Sequence, residues 1–184
     1  MADGWMADVA DRIAPYKFQM VTQGRCSRKY VTPETIADIK RSGIHTIFWG
    51  VESFSPKVLK AINKHTEPED IWHTLRVTKE AGVKNGVFTM IGNYQETEDD
   101  LRITTEALGK AYRDGLIDFR QTTVTTVMEG TELERIQKRE GWYIEPTFAG
   151  RDLRKAVGTP WLTARQIEYW QRKIYEACPV EIPQ

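Results

Sequence analysis

The chain has 184 residues, room for one domain with a sizeable core, and its 26 basic and 26 acidic side chains leave no net charge. That balance argues against a nucleic-acid groove or an anionic membrane as the main partner, since both need a basic excess. No apolar run approaches the roughly 20 residues that span a bilayer. The opening MADGWMADVADRIAPY lacks the apolar core of a signal peptide, and Cys26 and Cys178 lie far apart with no CxxC pair. A cytoplasmic α/β protein without a disulfide framework is expected.

Residues 3–14 carry Trp5, Val9 and Ile13 at helical spacing, ended by Pro15. A first strand is expected over 17–22, followed by a polar loop from Gln23 to Cys26. Thr32 and Pro33 open a helix that Ser42-Gly43 stop. The second strand runs from Ile44 to Trp49 and gives way to Gly50-Val51-Glu52-Ser53. Ser55 then caps a helix with Pro56 at its first position. A longer helix over 69–81 carries Ile71, Trp72 and Leu75 on one stripe. The third strand, 83–91, ends at Gly92, and an acidic first turn at Glu98-Asp99-Asp100 suits the helix that follows. A fourth strand over 117–127 is rich in Thr and Val, and a helix runs from Thr131 to Arg139.

Strand and helix therefore alternate four times without hairpin dipeptides, the pattern of a parallel sheet with crossover helices. After residue 142 the pattern changes. Pro146, Gly150, Gly158 and Pro160 mark an irregular stretch, and an amphipathic helix over 163–177 closes the chain. The expected division is a four-unit (βα) section over 1–142, with 143–184 as an irregular segment and helix packed upon it.

Side chains at the carboxyl ends of parallel strands are where such folds place their chemistry. In order, those ends read Gln23-Gly24-Arg25, Gly50-Val51-Glu52-Ser53, Ile91-Gly92 leading to Glu96-Thr97, and Glu129-Gly130-Thr131. This series resembles the second half of a radical SAM (S-adenosylmethionine) core domain, in the branch of cobalamin-dependent and methylthio-transferring members. There, one strand ends in Arg, the next reads Phe-Gly-Val-Glu-Ser before a Leu-containing helix and Asn-Lys, and the third ends Ile-Gly-Leu-Pro-Gly-Glu-Thr. Here Trp49 to Ser53, Leu59, Asn63-Lys64 and Ile91 to Thr97 match, across about residues 17 to 142.

The resemblance implies part of a TIM-like barrel and a site for SAM. It assigns Arg25, Glu52, Ser53, Gly92 and Gln121 to cofactor binding. Glu52 and Ser53 would face the ribose, where a carboxylate can accept two hydroxyl hydrogen bonds; an ion pair with Arg25 is the competing role for Glu52. Arg25 would meet the SAM carboxylate, Glu52 or solvent. Gly92 would let backbone approach a ring or simply turn the chain, and Gln121 would contact adenine or substrate. Glu96 suits the helix start better than a ligand. The three histidines lack metal-site spacing, and no catalytic acid, base or nucleophile set stands out.

Members of the family hold a four-iron four-sulfur cluster on Cys-x-x-x-Cys-x-x-Cys and use it to cleave SAM reductively to a 5′-deoxyadenosyl radical. Two cysteines cannot supply three ligands, and Asn93-Tyr94-Gln95 replaces Leu-Pro-Gly. The expectation is a half-barrel inactive alone, completed by self-association or by a missing amino-terminal half. The alternative is a non-catalytic binding or assembly module on the same scaffold.

Overall fold

The computed structural model describes residues 4–142 and 158–180. Four strands, β1 (Met20–Arg25), β2 (Ile44–Glu52), β3 (Lys84–Ile91) and β4 (Phe119–Val124), form one sheet in sequential order with every neighbouring pair parallel. The helices are α1 (Trp5–Ile13), α2 (Pro33–Arg41), α3 (Pro56–Ala61), α4 (Pro68–Glu80), α5 (Glu98–Arg113), α6 (Glu132–Glu140) and α7 (Ala164–Ala177). This is the wall of a TIM-like barrel in part, four βα units long, as the alternation predicts. Of the irregular stretch expected between residue 143 and the last helix, residues 143–157 lie outside the described residues.

Because the strands follow one another in order, right-handed crossovers put the connecting helices on one face. Burial agrees with that arrangement. Ile47, Trp49, Val51, Val87, Ile91 and Val124 point to the helices and are buried. They meet Ile36, Ile71, Leu75, Leu101 and Leu108 in a single core. Caps fix the helix starts: Thr32, Ser55 and Thr131 each accept a backbone N–H from the first turn, and Thr97 and Asp100 form a reciprocal capping box on α5.

Helix α7 lies on α5 and reaches β4. Arg120, 1% exposed, donates from Nε to the Cys178 carbonyl at 2.8 Å and stacks on the Tyr175 ring. Trp170 donates to Glu98 of α5 and Trp161 packs edge-on against Tyr94.

The other face of the sheet carries Val21, Gln23 and Arg25 of β1, Phe48 and Gly50 of β2, Phe88 and Met90 of β3, and Gln121 and Thr123 of β4. These side chains are half-buried or exposed, and Val21 is 54% exposed. Register layers this face. One tier runs Gln23–Phe48–Gly86–Phe119 and the next, toward the carboxyl ends, runs Arg25–Gly50–Phe88–Gln121. In the lower tier the Phe48 ring lies over Gly86, where an added Cβ would come within 2.2 Å of it, and stacks against Phe88 and Phe119.

Strand bounds differ from the sequence expectation in all four strands; β3 starts one residue later than expected and β4 is trimmed from 117–127 to Phe119–Val124. β1 starts three residues later, because Lys17 takes a left-handed φ of 54° to end a 3-10 turn, and Gly24, expected in a loop, pairs with Trp49. β2 continues past Trp49 to Glu52 through a register shift between Gly50 and Glu52.

Candidate functional site

The carboxyl-terminal tier of the uncovered face brings three of the expected residues together. Arg25, Gly50, Phe88 and Gln121 are register partners across all four strands, so Arg25 and Gln121 stand about 14 Å apart, three strand spacings. Glu52 rises between them at the end of β2. Its φ is +60°, and the Ser53 N–H donates to the Val51 carbonyl across it at 2.8 Å. That is a γ-turn in the left-handed form, rare for a residue with a side chain and costing of order 1–3 kcal/mol.

Lys64 holds the other side of this turn. Its ammonium donates to Glu52 Oε1 at 2.8 Å. The pair lies above Gly50, where a Cβ would sit 2.9 Å from Lys64 Nζ and 3.1 Å from Glu52 Oε1. Glycine at position 50 is therefore the space that the ion pair occupies. Lys64 is itself flanked by Asn63 and His65, both at positive φ. Sequence reasoning quoted Asn63-Lys64 as a motif but gave Lys64 no role; asparagine before it, tolerant of the left-handed region, was the available signal. The ion pair between Glu52 and Arg25 that competed with a ribose role is not the one formed, because Lys64 takes the carboxylate and Arg25 Nε donates to Thr66 Oγ1 at 3.3 Å.

Ser53 and Gly92 lie away from this rim. Ser53 has no exposed surface; its hydroxyl pairs with Thr104 Oγ1 at 2.9 Å and accepts the Ser55 N–H. Gly92, at φ +75°, turns the side on which a Cβ would stand toward Ile167 of α7 and Val124. Glu96 closes the loop that Gly92 begins: its Oε2 accepts the N–H of Gly92 at 2.6 Å and of Asn93 at 3.0 Å, while Oε1 is buried without a partner. Burial pushes the Glu96 carboxyl up to about 7, against the pull of those two donors. Burial alone would also raise Asp100, but bonds from Ser55, Thr97 and Lys57 outweigh it and hold that carboxyl at about 2.

The residues present do not fit an iron–sulfur cluster. Cys26 and Cys178 are both free and buried, and burial raises the Cys26 thiol to about 12, far from the thiolate a metal needs. Among the described residues no group of three or more His, Cys, Asp or Glu side chains converges. The rim does suit a polar organic ligand. It offers a carboxylate, an ammonium, a guanidinium and an amide over an aromatic floor, in the arrangement that binding sites at strand ends commonly take. No helix among the described residues is long and apolar enough to cross a membrane.

A family model described as Radical SAM superfamily matches residues 7–108. A stretch of 95 residues, 52% of this chain and 20% of the relative, is 30% identical to an uncharacterized methyltransferase of Pyrococcus horikoshii. Another of 85 residues, 46% of this chain and 19% of the relative, is 33% identical to a putative methylthiotransferase of Methanocaldococcus jannaschii. The chain thus spans about a fifth of the length of these curated relatives. Coproporphyrinogen III oxidase of Escherichia coli, a radical SAM enzyme, superposes with a TM-score of 0.63 over 93% of this chain and 36% of that one. At 12% identity this is a likeness of fold.

Proposed function

The chain belongs to the radical SAM superfamily, and from that premise we propose that its uncovered rim holds the ribose and adenine side of S-adenosylmethionine. The observation that carries the reading is the γ-turn at Glu52. A left-handed backbone at a non-glycine residue is maintained against its cost to present one carboxylate, with room made for its lysine partner over Gly50. In this reading Glu52 accepts the ribose hydroxyls, Arg25 meets the carboxylate of the amino-acid end, and Gln121 contacts the adenine edge. Ser53 and Gly92 contribute from below the rim, by fixing the Glu52 turn and the loop after β3. Titration calorimetry with SAM tests it: binding is expected, and Glu52→Ala should weaken it about tenfold or more. Silence with the unmodified chain removes this reading and favours a non-catalytic binding or assembly module on the same scaffold.

A second reading follows from the thiols. With two buried cysteines, the chain alone is inactive in SAM cleavage, and a partner completes the site: a further copy, or a chain supplying the cysteine loop as an amino-terminal half. The apolar tier, together with outer edges of β1 and β4 that pair with no strand among the described residues, favours association over an isolated sheet. Co-expression with an amino-terminal radical SAM half, followed by anaerobic reconstitution with iron and sulfide, should give the brown absorbance of a cluster; a colourless product rejects partner completion. Light scattering should report an oligomer, and a monodisperse monomer rejects self-association. Two free thiols fit a reducing compartment, the cytoplasm. The docking of α7 on α5 supports the expected carboxyl-terminal helix packed on the barrel section.

A further inference from the structure

We propose that Asp100 is a positioning residue that couples the Glu52 turn to the loop after β3, so that the two strand ends move as one unit. Its consequence for SAM rests on the function proposed above; the coupling itself does not.

The path is continuous, and most of its members are buried. Asp100, at the first turn of α5, accepts the Ser55 hydroxyl on Oδ1 at 2.6 Å. On Oδ2 it accepts Lys57 Nζ at 2.9 Å, the Thr97 N–H at 2.9 Å and the Thr97 hydroxyl at 2.6 Å. One carboxylate therefore grips both sides. Toward β2, the Ser55 N–H donates to Ser53 Oγ, and the Ser53 N–H closes the turn around Glu52. One turn further along α5, Thr104 Oγ1 pairs with Ser53 Oγ and accepts the Phe54 N–H at 3.1 Å. Toward β3, Thr97 follows Glu96, whose carboxyl clamps the N–H groups of Gly92 and Asn93.

Ser53, Ser55, Glu96, Asp100 and Thr104 are each at most 5% exposed. Water cannot substitute readily for a broken link in such a network, so its members act together. An ordinary capping box needs only Thr97 and Asp100. The additional bonds from Ser55 and Lys57 reach across to another loop, and capping does not require them.

The test uses the whole chain. Calorimetric titration with SAM compares Asp100→Asn, Glu52→Gln and the double variant. Asp100→Asn should weaken SAM about three- to tenfold, and it should add nothing in the Glu52→Gln background, because it acts through that turn. Thr163→Ala, which removes the cap of α7, serves as a control for destabilisation; it should lower the melting temperature and leave SAM affinity unchanged. Equal weakening in both Glu52 backgrounds, or by Thr163→Ala, overturns the proposal.

Amide hydrogen exchange supplies a readout that needs no ligand. Asp100→Asn should accelerate exchange at Ser53 and Gly92 together, about tenfold. Acceleration at the start of α5 alone overturns the coupling, whether or not SAM binds. Should Asp100→Asn fail to fold, Ser55→Ala cuts the strut toward β2 and keeps the α5 capping box; it should accelerate Ser53, and an unchanged Ser53 rate overturns the proposal.

Discussion

Glu52 and Glu96 follow glycines at the carboxyl ends of neighbouring strands, yet their environments are opposite. Glu52 keeps 18% of its side chain exposed on the uncovered face and answers to Lys64. Glu96 has no exposed surface and answers to two backbone N–H groups of its own loop. The difference separates a carboxylate available to a ligand from one spent on holding the backbone. Identical side chains at equivalent stations are thus assigned by what surrounds them, and the sheet face decides the surroundings.

The largest effect expected of this contrast is in stability. Glu96→Ala leaves the Gly92 and Asn93 amides buried and unpaired and should cost about 2–4 kcal/mol. Glu52→Ala should cost about 1 kcal/mol or less, since a single ion pair still reached by water stabilises little. Urea denaturation measures both, and equal losses would break the comparison.

Next is pH. With its folded pKa raised from the usual range to about 7, Glu96 favours the fold while protonated. That contribution is complete below about 4.5 and is lost as pH rises through 7, for a fall of about 3 kcal/mol. Glu96→Gln should flatten this slope. Asp100 has the reverse sign: held at about 2, it stabilises above its ordinary 3.8, and that share is lost as pH falls toward 2. Stability is therefore expected to peak in mildly acid solution, near pH 4 to 5, by denaturation at stepped pH.

A smaller effect sharpens the Glu52 side. Glu52→Gly should relieve the left-handed backbone and stabilise the chain by about 1 kcal/mol, while SAM binding falls as in Glu52→Ala. A loss of both would mean that the carboxylate serves the fold. Smallest of all, Gln121→Ala should leave the melting temperature unchanged and weaken SAM about two- to tenfold, the worth of one hydrogen bond.

Much of the fold was legible because caps and periodicity agree. Thr32-Pro33, Ser55-Pro56 and Thr163 open helices where the sequence says they should. β1 was misplaced because Gly24 reads locally as a turn, and only the indole of Trp49 on the next strand shows that a strand glycine is needed there. Arg25, Glu52 and Gln121 were legible as strand-end polar residues. Ser53 was placed beside Glu52 by adjacency, but the γ-turn and register shift send it to the helix side. Lys64 arrives from beyond α3 between two left-handed residues, a placement that spacing does not encode.

The Phe48 ring over Gly86 has a consequence for how the sheet assembles. Parallel strands joined by long crossovers must find each other at distance, and a slip of two residues would preserve the inside–outside alternation. Such a slip would set the Phe48 ring against Lys84 or Phe88 in place of the bare backbone at Gly86. The ring and the missing side chain work as key and slot, admitting one alignment of β2 on β3. A Gly86→Ala chain would lose its proofreading before it lost its strands.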